Sequence, residues 1–189
     1  MREDKVLENS TDRIVTIFGG SQCGQDSPEY SEAKEIGARL AEAGFTICTG
    51  GYLGVMEAAS RGAREAGGRV FGVVLNQFRS EPNRYLTDKV ATDHFYDRLQ
   101  NLITRSVGFV ALRGGVGTIS EISLVWNKLQ TGFLEKRPLV LVGDCWREVV
   151  ECWKKQLVVS DRDVRLLNFA DNAEEACQII IDKSREVIL

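Results

Sequence analysis

The run Val107-Gly-Phe-Val-Ala-Leu112, followed by Arg113-Gly-Gly-Val-Gly-Thr-Ile-Ser-Glu121, decides how this chain is read. The apolar residues from Val107 to Leu112 predict a buried strand, and a helical pattern sets in at Thr118. Between them stand Gly114, Gly115 and Gly117. Glycines at a strand-to-helix junction let the backbone turn tightly and approach a ligand closely. They also bare the first amides of the helix, whose partial positive charge favours an anion. The junction therefore predicts a phosphate cradle, with the carboxylate of Glu121 one turn into the helix beside it. A turn needed only for packing is the competing explanation, and three glycines in four positions weigh against it.

Outward from this junction, strand and helix patterns alternate. Strands are predicted at Arg13–Phe18, Phe45–Cys48, Arg69–Leu75, Leu139–Val142 and, more briefly, at Val90–Asp93 and Leu166–Phe169. A helix starts at Ser27-Pro28 and carries Ala33, Ile36, Gly37, Leu40 and Ala43 on one face. A second follows the glycine turn Thr49–Gly54 and is lined by small residues, Ala58, Ala59, Gly62 and Ala63, so that it can lie close against a sheet. Further helices are expected at Phe95–Arg105, from Thr118, near Trp146–Leu157 and from Ala173 to Glu186. The strands are continuous apolar runs, which fits a parallel sheet covered on both faces. The fold class is thus α/β, a Rossmann-like doubly wound parallel sheet with helices on both faces in one domain, residues 13–189, behind a charged tail of residues 1–12. Ligands in such sheets bind at the carboxyl ends of the strands, where the glycine turns gather. Residues 76–88 lack a period and read as a loop over the site, with Gln77–Leu86 expected to choose among ligands.

Charge and composition exclude several classes. Of 189 residues 27% are charged, and the net charge is -3, which gives no electrostatic footprint for nucleic acid. No apolar run is long enough to span a membrane. The five cysteines form no CxxC pair and read as free thiols of a reducing cytoplasm. With one histidine, His94, neither a zinc site nor a Ser-His-Asp triad is legible, so no metal and no cofactor is expected. The glycine spacing is not the dinucleotide fingerprint, because Ser120 stands where a third glycine is needed, and no Lys-Ser/Thr follows to make a Walker loop.

Two candidate residues have plain structural explanations. Thr118-x-x-Glu121 also fits a capping box, in which each side chain bonds the other's backbone amide; both readings stay open on pattern alone. Arg98, beside Asp97, reads by itself as half of a solvated surface pair. Gly20, Ser21 and the Gly50–Gly54 turn are placed to complete a cavity, and Arg79 and Arg84 lie in the loop above it.

With these motifs the chain resembles the LOG (LONELY GUY) family of Rossmann-like proteins. The family motif Pro-Gly-Gly-x-Gly-Thr-x-x-Glu is matched from Arg113 to Glu121. A Gly-Gly turn leading into Gly-x-Met is matched by Gly50, Gly51, Gly54 and Met56. Gly20-Ser21 and Val142-Gly143-Asp144 fit as well, so the resemblance runs from about Arg13 to the C-terminus. It implies a phosphoribohydrolase, which cleaves the N-glycosidic bond of a nucleoside 5′-monophosphate to free base and ribose 5-phosphate, with an AMP-like purine nucleotide the first candidate. It implies catalytic roles for Arg98 and Glu121. It implies nucleotide binding by Gly20, Ser21, Gly50, Gly51, Gly54, Met56, Arg113, Gly114, Gly115, Gly117 and Thr118. It also implies a homodimer or higher homo-oligomer, with a small-molecule nucleotide as ligand and neither nucleic acid nor membrane as partner. Such proteins are often labelled possible lysine decarboxylases, but nothing here reads as lysine chemistry with pyridoxal phosphate. Two positions depart from the family: Leu99 replaces the lysine after the catalytic arginine, and Arg113 replaces the proline before the glycines. They keep an alternative open, a non-catalytic binder or carrier of a nucleotide or of a phosphorylated ligand like the molybdenum cofactor.

Overall fold

The computed structural model describes residues 13–185, and for Arg185 the backbone alone. The predicted tail and the last residue of the predicted closing helix, Glu186, lie outside that range. Seven strands form one parallel sheet: β1 (Ile14–Phe18), β2 (Thr46–Thr49), β3 (Val70–Leu75), β4 (Asp88–Thr92), β5 (Ser106–Ala111), β6 (Leu139–Val142) and β7 (Leu167–Ala170). Their order is β4-β3-β2-β1-β5-β6-β7. The chain therefore winds one way from β1 to β4, returns through α3 (Phe95–Thr104), and winds the other way from β5. The reversal opens a crevice between β1 and β5, the place where ligands bind in sheets of this kind.

Each central strand sends alternate side chains to opposite faces. On one face Val15, Ile17, Ile47, Val110 and Val140 meet α1 (Pro28–Glu42), α2 (Val55–Glu65) and α7 (Ala173–Arg185). On the other, Phe18, Phe71, Phe109 and Leu141 meet α3, α4 (Val116–Thr131) and α5 (Asp144–Gln156). The small residues of α2 serve α1 as well as the sheet. A Cβ on Gly37 would overlap the backbone of Ala59, and one on Gly62 the carbonyl of Lys34, so the two helices touch backbone to backbone.

Three elements depart from the sequence reading. The first helix after the glycines begins at Val116, not Thr118, because Gly117 is already helical; its low propensity disguises it as turn. The short helix α6 (Asp161–Val164) was not expected; Ser160 and Asp163 form its capping box. Strand β4 reaches β3 through residues 76–87 with no crossover helix and lies at the sheet edge, where its side chains are only alternately covered.

Candidate functional site

The carboxyl ends of β1, β2 and β5 converge on a cavity of about 970 Å³. Its floor is the predicted junction. Gly115 caps α4 at its N-terminus, and no side chain caps that helix start. The capping-box reading of Thr118 and Glu121 is thus incorrect: Thr118 is already the third residue of the helix, buried against Gly114, where a Cβ would strike its side chain. With no cap, the first amides of α4 keep their hydrogen-bonding capacity and the positive end of the helix dipole faces the cavity. Gly20 comes from the other side of the crevice. Its amide donates to the Arg113 carbonyl (3.1 Å), and its own carbonyl accepts from Val55 (2.9 Å), which ties both glycine turns to α2.

Arg98 is not the solvated surface residue that its neighbour Asp97 suggested. It is only 6% exposed. Its Nε donates to the Val73 carbonyl (3.0 Å) and its Nη2 to the Gly50 carbonyl (3.3 Å). Gly50 is required here, because a Cβ would overlap the guanidinium. Carbonyl oxygens thus hold the cation, and its Nη1 stands 3.9 Å from Glu121 Oε1, too far for a hydrogen bond. Below Arg98, α3 is anchored to the sheet by the Thr16 hydroxyl, which donates to the Leu102 carbonyl (2.7 Å).

Glu121 has a side chain 14% exposed and, among the described residues, accepts no hydrogen bond that would hold its charge. Burial pushes its carboxyl up to about 7, and the Arg98 guanidinium draws it back only in part. The site thus pairs a fixed cation with an acid that titrates near neutrality, the kind of perturbed group that gathers at functional sites.

The other expected residues divide. Ser21, Met56, Arg113, Gly114, Gly115 and Gly117 line the cavity with Gly20, Gly50, Thr118, Arg98 and Glu121. Gly51 and Gly54 do not; both have positive φ, 81° and 68°, and shape the turn behind the wall, Gly54 packing on Gly20 and Ser21. Arg113 is 72% exposed and reaches Glu29 at the start of α1 (3.6 Å). Leu99 is buried and lies outside the lining. The loop arginines Arg79 and Arg84 also stay outside; Arg84 donates to the Tyr85 hydroxyl (3.0 Å). The sequence reading held Tyr52 and Phe78 only as unnamed members of the Gly50–Gly54 turn and the Gln77–Leu86 loop, and it missed Phe95 and Glu29; all four are in the wall. An aromatic inside a glycine turn (Tyr52), and another just after a strand (Phe78), were the available signals. Among the described residues no His, Cys, Asp and Glu cluster suits a metal, and no helix is long and apolar enough to cross a membrane.

A doubly wound sheet with an uncapped helix start and a buried Arg–Glu pair beside a cavity at its switch point defines a Rossmann-like protein. The chain belongs to the SLOG cluster4 family, matched by residues 12–176, and is a LOG-family protein. It is 31% identical over 163 residues to the cytokinin riboside 5′-monophosphate phosphoribohydrolase of Mycobacterium tuberculosis, covering 79% of this chain and 86% of that one. The molybdenum cofactor binding protein of Rippkaea orientalis shares the fold at a TM-score of 0.75 and 22% identity, over 96% of this chain and 100% of that one. The Moco carrier protein of Chlamydomonas reinhardtii does so at 0.68 and 25%, over 93% and 99%.

Proposed function

We propose that this protein is a phosphoribohydrolase acting on nucleoside 5′-monophosphates. The observation that carries the reading is the buried Arg98–Glu121 pair, open toward the cavity beside an uncapped helix start. In this reading the 5′-phosphate sits on the amides of Gly115 to Thr118, with Arg113 leaving Glu29 to meet it. The ribose lies between Arg98 and Glu121. Water adds its hydroxyl to C1′, the N-glycosidic bond breaks, and the base leaves with the proton. Ionised Glu121 supports the positive charge that develops on the ribose, as carboxylates do in glycoside hydrolysis, and acts more strongly for being desolvated. Arg98, rigidly held by carbonyls, positions the phosphoribosyl group. Relatives that carry this activity at about 30% identity support the reading.

The test is incubation with AMP and a panel of other nucleoside monophosphates, following free base and ribose 5-phosphate by mass spectrometry. Base should be released by the wild type and not by Glu121→Ala. No release from any nucleotide would refute hydrolysis. One observation favours a second reading, a carrier of a larger phosphorylated ligand: the cavity stands at the upper end of the usual ligand-site range. The homodimer belongs to the same proposal, since Tyr96 and Val116 present exposed apolar side chains beside the mouth; a monomeric mass by light scattering would count against it.

A further inference from the structure

Phe78 and Phe95 are large aromatic side chains in the cavity wall, 49% and 44% exposed. Half-exposed aromatics in a concave wall leave apolar surface in water unless something covers it. Phe78 is held in place. The Phe78 amide donates to the Leu75 carbonyl (3.0 Å), and its ring rests on Tyr52 at 5.3 Å between centroids, tilted by 47°. Tyr52 itself is buried, its hydroxyl donating to the Leu75 carbonyl (3.1 Å) and accepting from the Leu75 amide (2.9 Å). Phe95 opens α3, three residues before Arg98 and so on the same side of that helix.

The sheet sets the spacing. The phosphate cradle follows β5 and Phe78 follows β3, three strand intervals away in the order β3-β2-β1-β5, or about 14 Å. Arg98, bonded to the carbonyls of Val73 within β3 and of Gly50 just after β2, lies in the same cavity wall. A nucleoside monophosphate spans this arrangement with its phosphate on the cradle, its ribose at Arg98 and Glu121, and its base at the aromatic end.

We infer that Phe78 and Phe95 form the base subsite, and that it selects purines by stacking without reading the exocyclic groups of the ring. This rests on the nucleotide reading above. Stacking tolerates any base because every base has a π face, and it rewards the larger ring. Discrimination between adenine and guanine needs fixed donors or acceptors that one of them would leave unpaired. Tyr52 cannot supply them, because its hydroxyl is spent on Leu75. The polar side chain that the loop after β3 brings to the wall is Ser80, whose rotating hydroxyl serves as donor or acceptor alike.

Equilibrium titrations in the Glu121→Gln background, where no base is released, test this with ribose 5-phosphate, AMP, GMP, CMP and UMP. AMP and GMP should bind within tenfold of each other and about tenfold tighter than ribose 5-phosphate, with CMP and UMP weaker than both. Phe78→Ala should remove about tenfold of the purine affinity and leave ribose 5-phosphate unchanged, and Phe78→Trp should restore it. A difference above hundredfold between AMP and GMP would overturn the inference. So would a Phe78→Ala protein that binds AMP as before, or one that loses ribose 5-phosphate equally. If neither ribose 5-phosphate nor any nucleotide binds, the nucleotide reading has failed and the subsite falls with it. If the expected pattern appears but the wild type releases no base, the subsite stands and only hydrolysis falls.

Discussion

Replacing Glu121 by glutamine probes the site with no ligand present. Burial pushes this carboxyl up to about 7, whereas in the unfolded chain it titrates near 4.3. Between those values the folded protein keeps a proton that the unfolded chain has released. The stability contributed by the neutral acid is therefore complete below about pH 4 and is lost as pH rises through about 7. At about 1.4 kcal/mol per pH unit, the whole loss is about 4 kcal/mol, and about 2 to 3 kcal/mol of it falls between pH 5 and pH 8. Glutamine is neutral throughout. Relative to Glu121→Gln, the wild type should lose about 2 to 3 kcal/mol across that interval. Urea denaturation of both proteins at pH 5, 6, 7 and 8, in buffers free of phosphate, measures the difference. Parallel profiles would refute the reasoning. A variant that weakens relative to wild type as pH rises would show that Arg98 favours the carboxylate more than burial opposes it.

Two further substitutions test how the site and its support are built. Gly50→Ala places a methyl group on the Arg98 guanidinium; it should swing the cation off the Gly50 carbonyl and lower base release at least tenfold, at a stability cost of about 2 kcal/mol, and unchanged turnover would show that the position of Arg98 does not matter. Gly62→Ala replaces a poor helix former by the best, worth about 1 kcal/mol in an open helix, yet it drives a methyl into the Lys34 carbonyl across the α1–α2 contact. Net destabilisation of about 2 kcal/mol is expected by chemical denaturation, and a gain in stability would refute the close contact.

Local order along the chain made most of the sheet legible. Apolar runs such as Val107–Leu112 can be buried on both faces only in a covered parallel sheet, and glycines at their ends mark turns toward a ligand. The same runs carried the fold class, the glycine junction at Gly114–Thr118 and Glu121 beside it. The boundaries were less legible where propensity and position disagree, as at Gly117, which is helical although glycine disfavours helices.

The sequence by itself determined the alternation of strands and helices and the residues of the glycine junction, because both depend on neighbours a few positions apart. The tertiary structure alone decided what Arg98 is. Its acceptors, the carbonyls of Val73 and Gly50, lie 25 and 48 residues away, and no local pattern announces them. It likewise decided that Thr118 is no cap, that Gly51 and Gly54 stand behind the wall, and that Glu121 titrates near neutrality, since desolvation is a property of everything packed around a group. The aromatic end of the cavity exists for the same reason: Tyr52, Phe78 and Phe95 come from three separate segments, and only the order of the strands brings them to one wall.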